Sequence, residues 1–369
     1  MKKNIIFPIE FNFLKGGMIH SVSSLINFLK NDYNVYILAH KDAEIFQQIK
    51  DVNHLKLKHN WSISVFNLLK TLRTYTEVKK ITKNFPKEST LVLTNNVGSE
   101  LIFSGFGIKK NNLNRFFVSR GGNYEGKTGF FLKLGFKSVN KFIAISNRQV
   151  KILKQNGIEE DKISLIHNGV EANKFGYLEN KKELKNIAIV GFLHPLKNQL
   201  LAFYAIRKLK DLNYNFTLNV YGEASSNIDV EYKKILDKYI KDNELEDNII
   251  YKGYEENRDE IYLNNEVLLS CSLSEGFGRT IVEAMAYSLP CIGLYESGGL
   301  LDIIENNENG ILINNSVHEL VEVLIKLHDN YEFRKQIEKN AFNTFESKFT
   351  DKIMSEKYKI LIDSFFKTI

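Results

Sequence analysis

Val267-Leu268-Leu269-Ser270-Cys271-Ser272 is a short apolar run of the kind that forms a buried strand. It leads into Ser274-Glu275-Gly276-Phe277-Gly278-Arg279, and from Thr280 to Tyr287 helix-forming residues follow without a breaker until Pro290. The stretch specifies a strand, a tight glycine turn, and a helix whose first turn points back at the strand end. Such a unit belongs to layered α/β folds. The N–H groups and partial positive charge of a helix start can hold phosphate, and Gly276 and Gly278 lack the Cβ that keeps a ligand off the backbone. Glu275 falls on the turn, and Glu283, eight positions on, lies inside the helix. Glycine turns of this kind also serve as plain connections with solvated acidic residues, and by spacing alone the two readings stand level.

A chain of 369 residues exceeds one hydrophobic core, so two domains are expected. Its 43% hydrophobic and 25% charged residues are those of an ordinary soluble globular protein. No run approaches the ~18 apolar residues that span a bilayer, and the apolar part of Met1–Pro8 is too short for a signal peptide. Cys271 and Cys291 both fall in expected core strands, and no metal-ligand spacing is present. These features lead us to expect a cytoplasmic protein that binds no metal. Charge is divided unevenly along the chain. Residues 1–180 carry 27 Lys and Arg against 14 Asp and Glu, and residues 181–369 carry 23 against 30. A basic half beside an acidic half implies different partners for the two, with an anionic membrane surface or an anionic acceptor for the first. No nucleic-acid motif accompanies the basic half, so nucleic acid is the weakest candidate.

Strands and helices alternate along the whole chain. Asn4–Phe7 reads as the first strand, Gly16-Gly17 as a loop and His20–Leu29 as an amphipathic helix. Strands follow at Val35–Ala39, Leu91–Thr94, Arg115–Ser119, Lys141–Ser146 and from Ile163. Gly16-Gly17 and Arg120-Gly121-Gly122 both lie at strand ends, where open α/β sheets bind ligands. Ser64 to Phe85 is the most basic helical stretch, with Lys70, Arg73, Lys79, Lys80 and Lys83 opposite an apolar stripe. It suits packing on its own sheet, and it also suits docking on anionic lipid helped by Phe130–Lys137. Polar residues 171–185 read as a linker. Strands Ile187–Gly191, Phe216–Tyr221, Ile249–Tyr251, Val267–Ser272, Ile292–Leu294 and Gly310–Ile313 build the second half, with helices at Gln199–Leu209 and Glu231–Asp242. From Val317 to Ile369 the chain reads as helical. The expected fold is α/β, two doubly wound Rossmann-like domains facing each other across a cleft. The first covers residues 1–172, with helix 351–369 packing back on it, and the second covers 173–350.

Several segments together resemble the retaining glycosyltransferases of the GT-B fold, family four (glycosyl transferases group 1). The E-x7-E signature of that family is similar to Glu275…Glu283 within Glu275-Gly276-Phe277-Gly278…Glu283-Ala284-Met285-Ala286. Ala144-Ile145-Ser146, Ile166-His167-Asn168-Gly169-Val170, Val190-Gly191…Pro195-Leu196-Lys197-Asn198-Gln199, Gly298-Gly299 and Asn309-Gly310-Ile311-Leu312 match further family phrases in the right order. The resemblance implies that Glu283 binds the nucleotide ribose and Glu275 the hydroxyls of the transferred sugar. It implies that Lys197 neutralises the diphosphate, assisted by Gly17 of the Gly16-Gly17 loop and by backbone N–H groups near Thr280, with Tyr254 by the nucleobase. Gly276, Phe277 and Gly278 complete the turn around the nucleotide. The implied reaction transfers a sugar from a nucleoside-diphosphate sugar, UDP by default, to a glycan or lipid-linked acceptor with retention, without cofactor or metal. Capsule, O-antigen or lipopolysaccharide synthesis at the inner membrane face is the implied setting. The acidic half would bind the donor and the basic half the acceptor.

The chain departs from the family in places. Phe192 stands where many members carry arginine, and His194 precedes Lys197 where some relatives have arginine. His194 suits either a phosphate contact or a filler of the turn. Ser119-Arg120-Gly121 replaces a frequent histidine, so Arg120 is a candidate cation at the crevice, and Arg279 takes a usually apolar place. A sugar-nucleotide epimerase of the same architecture and a non-catalytic partner subunit are the alternatives. A nicotinamide dehydrogenase is poorer, because no G-x-G-x-x-G follows the first strand.

Overall fold

The structure is a computed structural model that describes residues 2–10, 17–59, 68–105, 113–121, 124, 126–179 and 183–369. The chain divides into two compact units, residues 1–169 with 351–369, and residues 170–350. Each is a parallel sheet with helices at its faces.

In unit 1, β1 (Asn4–Pro8), α1 (Gly17–Leu29), β2 (Asn34–His40), α2 (Ile45–Gln48) and β3 (Asn53–Leu57) come first. Next are α3 (Leu68–Thr82), β4 (Thr90–Thr94), α4 (Val97–Ser104) and β5 (Asn114–Ser119). Then follow α5 (Gly126–Phe136), β6 (Lys141–Ala144), α6 (Asn147–Gln155) and β7 (Ile163–Leu165). The sheet order is β3-β2-β1-β4-β5-β6-β7, so the winding reverses between β1 and β4. Every residue of β4 and β5 is buried, which is why these strands read as unbroken apolar runs rather than as an alternation.

In unit 2, β8 (Asn186–Val190), α7 (Gln199–Asp211), β9 (Thr217–Tyr221), α8 (Asn227–Asp242) and β10 (Ile249–Gly253) form the first half. The second half holds α9 (Arg258–Tyr262), β11 (Val267–Ser270), α10 (Arg279–Ala286), β12 (Cys291–Leu294) and β13 (Ile311–Ile313), then α11 (Val317–Asp329) and α12 (Tyr331–Lys348). The order β10-β9-β8-β11-β12-β13 reverses between β8 and β11. Ile187, Ile189, Leu218, Val220, Val267 and Leu269 from the sheet pack with Leu201, Phe203 and Ile206 of α7 and with Leu320 and Leu324 of α11. The last helix, α13 (Asp351–Thr368), returns to unit 1 and packs on α1. Tyr33 after α1 donates its hydroxyl to Asp363 at 2.5 Å.

Several boundaries differ from the sequence reading for local reasons. The helix expected from Glu231 starts at Asn227, because Ser226 and Asp229 form a reciprocal capping box. The strand expected to reach Ser146 stops at Ala144, because the Ser146 hydroxyl caps α6 by accepting from Gln149 N–H. Strand β3 has no counterpart among the expected strands. It lies at the sheet edge, mostly exposed, with no apolar run to announce it. The first part of the expected linker is fixed to unit 2: Leu178 N–H donates to Ser288 Oγ at 3.0 Å, and Tyr177 packs edge-on against Phe342. Of the basic stretch Ser64 to Phe85, the part described as α3 buries Thr71, Thr74, Tyr75, Val78 and Thr82 and exposes Arg73, Lys79 and Lys80. Residues 64–67 and the side chain of Lys70 lie outside the described residues. Among the described residues no helix is long and apolar enough to cross a membrane.

Candidate functional site

In an open α/β sheet the carboxyl ends of the two strands beside the reversal point flank a crevice. In unit 2 those strands are β8 and β11, and the turns that follow them are tied together. Leu273 N–H donates to Leu196 O at 2.9 Å, and Ser272 Oγ donates to the same carbonyl at 3.3 Å. Leu196 belongs to a single 3₁₀ turn, Pro195–Lys197, that precedes α7. This tie brings Lys197 to Glu275: Nζ stands 2.5 Å from Oε1. The lysine side chain is 31% exposed and the glutamate 18%.

The backbone of Glu275 is clamped. Its N–H donates to Ser297 O at 2.8 Å, and its carbonyl accepts from Gly299 N–H at 3.2 Å. The approach is so close that a Cβ on Gly299 would stand 2.7 Å from both Glu275 O and Phe277 N. At Gly278 the chain turns with φ of +108°, and a Cβ there would lie 2.1 Å from Leu300 Cδ2. Only glycine permits this turn. It serves as N-cap of α10 with no side-chain cap and no acidic residue in the first turn. Phe277 is buried with its ring edge-on to Phe349, so its part in the turn is to anchor it. What Gly276, Phe277 and Gly278 offer a ligand is backbone. Thr280 is half-buried in the first turn of α10.

Glu283 lies one turn further on, and both its oxygens have partners. Arg279 Nε donates to Oε1 at 2.8 Å, and Tyr262 Oη donates to Oε2 at 2.9 Å. Burial raises the Tyr262 phenol well above its ordinary value, and the neighbouring Glu283 carboxylate adds to this. Tyr262 therefore stays a proton donor at any working pH. No sequence pattern marks this residue, since α9 is five residues long and too short to show a periodic stripe.

The remaining candidates have distinct places. His194 Nδ1 accepts from Leu196 N–H at 3.0 Å and so caps the turn that carries Lys197. Tyr254 follows β10 and is half-exposed, with its N–H 3.4 Å from Glu223 Oε1, and burial raises its phenol. In unit 1, Gly17 opens α1 after β1, the strand beside that sheet's reversal, and Gly16 lies outside the described residues. Arg120 follows β5. Its Nη2 stands 3.0 Å from Asn95 Oδ1 and its Nη1 2.9 Å from Asn168 Oδ1. Asn95 is oriented for this because its own Nδ2 donates to Leu93 O at 3.0 Å. Among the described residues no three His, Cys, Asp or Glu side chains gather as a metal site.

Residues 170–344 match the family model for glycosyl transferases group 1. Over 147 residues it is 28% identical to a poly(ribitol-phosphate) alpha-N-acetylglucosaminyltransferase of Staphylococcus aureus, covering 40% of this chain and 29% of that protein. Over 93% of both chains it is 24% identical to the capsular polysaccharide biosynthesis glycosyltransferase CapM of Staphylococcus aureus. The match spans less than a third of the first relative and only 18% of the two streptococcal relatives that follow it. Among solved structures, Anabaena HepE in complex with UDP-glucose superposes with a TM-score of 0.83 at 15% identity, over 98% of this chain and 100% of that one. The fold is that of the GT-B glycosyltransferases. Lys197, Glu275, Arg279 and Glu283 lie within the matched residues.

Proposed function

We propose that this protein transfers a sugar from a nucleoside-diphosphate sugar, with UDP as the first candidate nucleotide, to a glycan or lipid-linked acceptor during assembly of a surface polysaccharide. The observation that carries the reading is the Lys197–Glu275 contact of 2.5 Å at the reversal of the second sheet. The start of α10 and Glu283 are the next elements along the chain. Support for the donor comes from the UDP-glucose bound by HepE, and for the acceptor class from the names of the two staphylococcal relatives.

As the glycosidic bond breaks, negative charge grows on the departing diphosphate. A fixed ammonium and the N–H groups of a helix start favour that charge more in the transition state than in the ground state. Lysine has three N–H donors. Glu275 takes one from Lys197 and aims the ammonium, which leaves the others to the phosphate oxygens. Glu275 is assigned to hydroxyls of the sugar, and Glu283 to the ribose. With Lys197 and the helix end meeting the leaving charge, the acceptor attacks from the same face and a diphosphate oxygen takes its proton, giving retention without a metal. Arg120, fixed at the strand ends of unit 1, is assigned to the acceptor side, and the basic first unit to an anionic surface at the inner membrane face.

Incubation of the full chain with a panel of nucleoside-diphosphate sugars, followed by mass spectrometry, tests the reading. One donor should release its nucleoside diphosphate, and Glu283→Ala should weaken that donor's binding by about ten-fold, the scale of a hydrogen bond to a charged group. Absence of binding and turnover with every donor would sink it and favour the non-catalytic subunit, for which Phe192 in place of arginine is the supporting feature.

A further inference from the structure

The reaction leaves two side chains beside Glu283 without a role of their own. A glutamate has three torsions and a soft terminal one, so its carboxylate sweeps an arc unless something stops it. Here two donors stop it from opposite oxygens. Arg279 Nε holds Oε1 at 2.8 Å and Tyr262 Oη holds Oε2 at 2.9 Å. Each carboxylate oxygen has about two lone-pair directions, so one direction on each is taken by the protein.

The support beneath Tyr262 is continuous. Its ring lies 5.2 Å from that of Tyr287 at 34°. The Tyr287 hydroxyl donates to Asp259 Oδ1 at 2.5 Å, and Asp259 also meets Lys174 Nζ at 3.0 Å. Arg258 of the same short helix donates to Glu171 O at 3.1 Å. Asn173, between these two anchors, donates to Ala286 O at the far end of α10. The segment 171–174 therefore straps α9 to α10. That strap fixes the distance between a phenol on one helix and a carboxylate on the other.

We propose that Tyr262 and Arg279 are positioning residues that hold the Glu283 carboxylate as a preformed acceptor for the vicinal hydroxyls of a ribose, so that the site selects ribonucleotides over deoxyribonucleotides. The proposal rests on the assignment of Glu283 to the ribose. Two hydroxyls on adjacent ring carbons present two parallel O–H donors, and a carboxylate with one lone-pair direction left on each oxygen matches them. A site arranged around a particular hydroxyl rejects the analogue that lacks it, because its acceptor is then left unpaired. Ordering the carboxylate beforehand removes a cost that binding would otherwise meet.

The experiment is calorimetric titration of the full chain with UDP, GDP and their 2′-deoxy forms, in the wild type and in Glu283→Ala, Tyr262→Phe and Arg279→Lys. The phenylalanine keeps the ring packed on Tyr287 and removes only the hydroxyl. The lysine keeps the charge and removes the planar Nε donor. For the nucleotide that binds, the wild type should favour the ribose form by roughly ten-fold or more, and Glu283→Ala should abolish that preference. Tyr262→Phe and Arg279→Lys should each cut the preference by about three-fold or more, with affinity for the deoxy form unchanged within about two-fold. If Glu283→Ala keeps the preference, or the wild type shows none, the ribose assignment fails and this inference with it. If Glu283→Ala abolishes the preference while both other variants keep it whole, the assignment stands and the positioning role is overturned. Equal weakening of ribose and deoxy forms in Tyr262→Phe would make Tyr262 a packing residue and overturn its part.

Discussion

The Lys197–Glu275 contact lends itself to a double-mutant cycle, with Lys197→Met, Glu275→Gln and the two combined. An ammonium about 4 Å from a charge at an effective permittivity of about 20 is worth about 4 kcal/mol. Lys197 is 31% exposed, and solvent screening brings the catalytic loss for the methionine variant to about 3 kcal/mol, or about 10²-fold in kcat. The Lys197 stem lies close to Gly191, where a Cβ would stand 3.5 Å from its Cε, and methionine preserves that packing. The effect on stability should stay within about 1 kcal/mol, as for other partly exposed ion pairs. Glu275→Gln keeps the shape of the side chain and weakens its hold on the ammonium, for an expected loss of about ten-fold. Because part of what Glu275 does is done through Lys197, the combined variant should lose less than the product of the single losses, by about 1 kcal/mol of coupling. The assay is single-turnover release of nucleoside diphosphate from the donor, with thermal melts alongside. A methionine variant within about three-fold of wild type, or strictly multiplicative losses, would refute the idea that the pair acts as one device.

Gly278→Ala forces a side chain onto φ of +108° and into Leu300, and a loss of about 2–4 kcal/mol in urea unfolding is expected; a loss under about 0.5 kcal/mol would contradict the turn described. Burial raises the Glu10 carboxyl from 4.5 to about 7. The folded chain keeps this proton in a range where the unfolded chain has lost it, so stability falls as pH rises from 4.5 towards 7 and levels off above, by at most about 3 kcal/mol. Glu10→Gln should flatten that part of the pH–stability curve, and an unchanged slope would remove Glu10 as its source. If the basic face of α3 docks on lipid, the chain should sediment with phosphatidylserine vesicles at low salt and be released at high salt. Reversing Lys79 and Lys80 to Glu should abolish the sedimentation, and salt-independent pelleting or none would discard that surface.

Much of the architecture was legible because strands buried on both faces leave continuous apolar runs, as at β4, β5, β8 and β11, and because glycines mark the turns after several of them. The edge strand β3 was not legible, since a sheet edge does not demand an apolar run. The contact of Lys197 with Glu275 spans 78 positions. It follows from β8 and β11 being neighbours, which is a property of strand order that residue patterns alone do not carry. Tyr262 reaches Glu283 across 21 positions from a helix of little more than one turn, so neither periodicity nor a motif pointed to it. His194 had two open readings, and its Nδ1 proves to be spent on the backbone of its own turn. The segment from Glu171 looked like a linker by composition, yet Glu171, Asn173 and Lys174 use their polar groups to strap α9 to α10.

The return of α13 to unit 1 has a consequence for the order in which the protein is made. Unit 2 is one uninterrupted stretch between Gly169 and Asp351, and its two ends meet, with Val170 bridging Thr350 and Val170 N–H donating to Phe349 O at 3.0 Å. Unit 1 lacks Tyr358 and Ile362, both buried, until the final helix has left the ribosome. Unit 2 can thus close on itself first, as domains commonly do during synthesis. Unit 1, most of which precedes unit 2, is finished after it, and a truncation within α13 wounds the half encoded before unit 2.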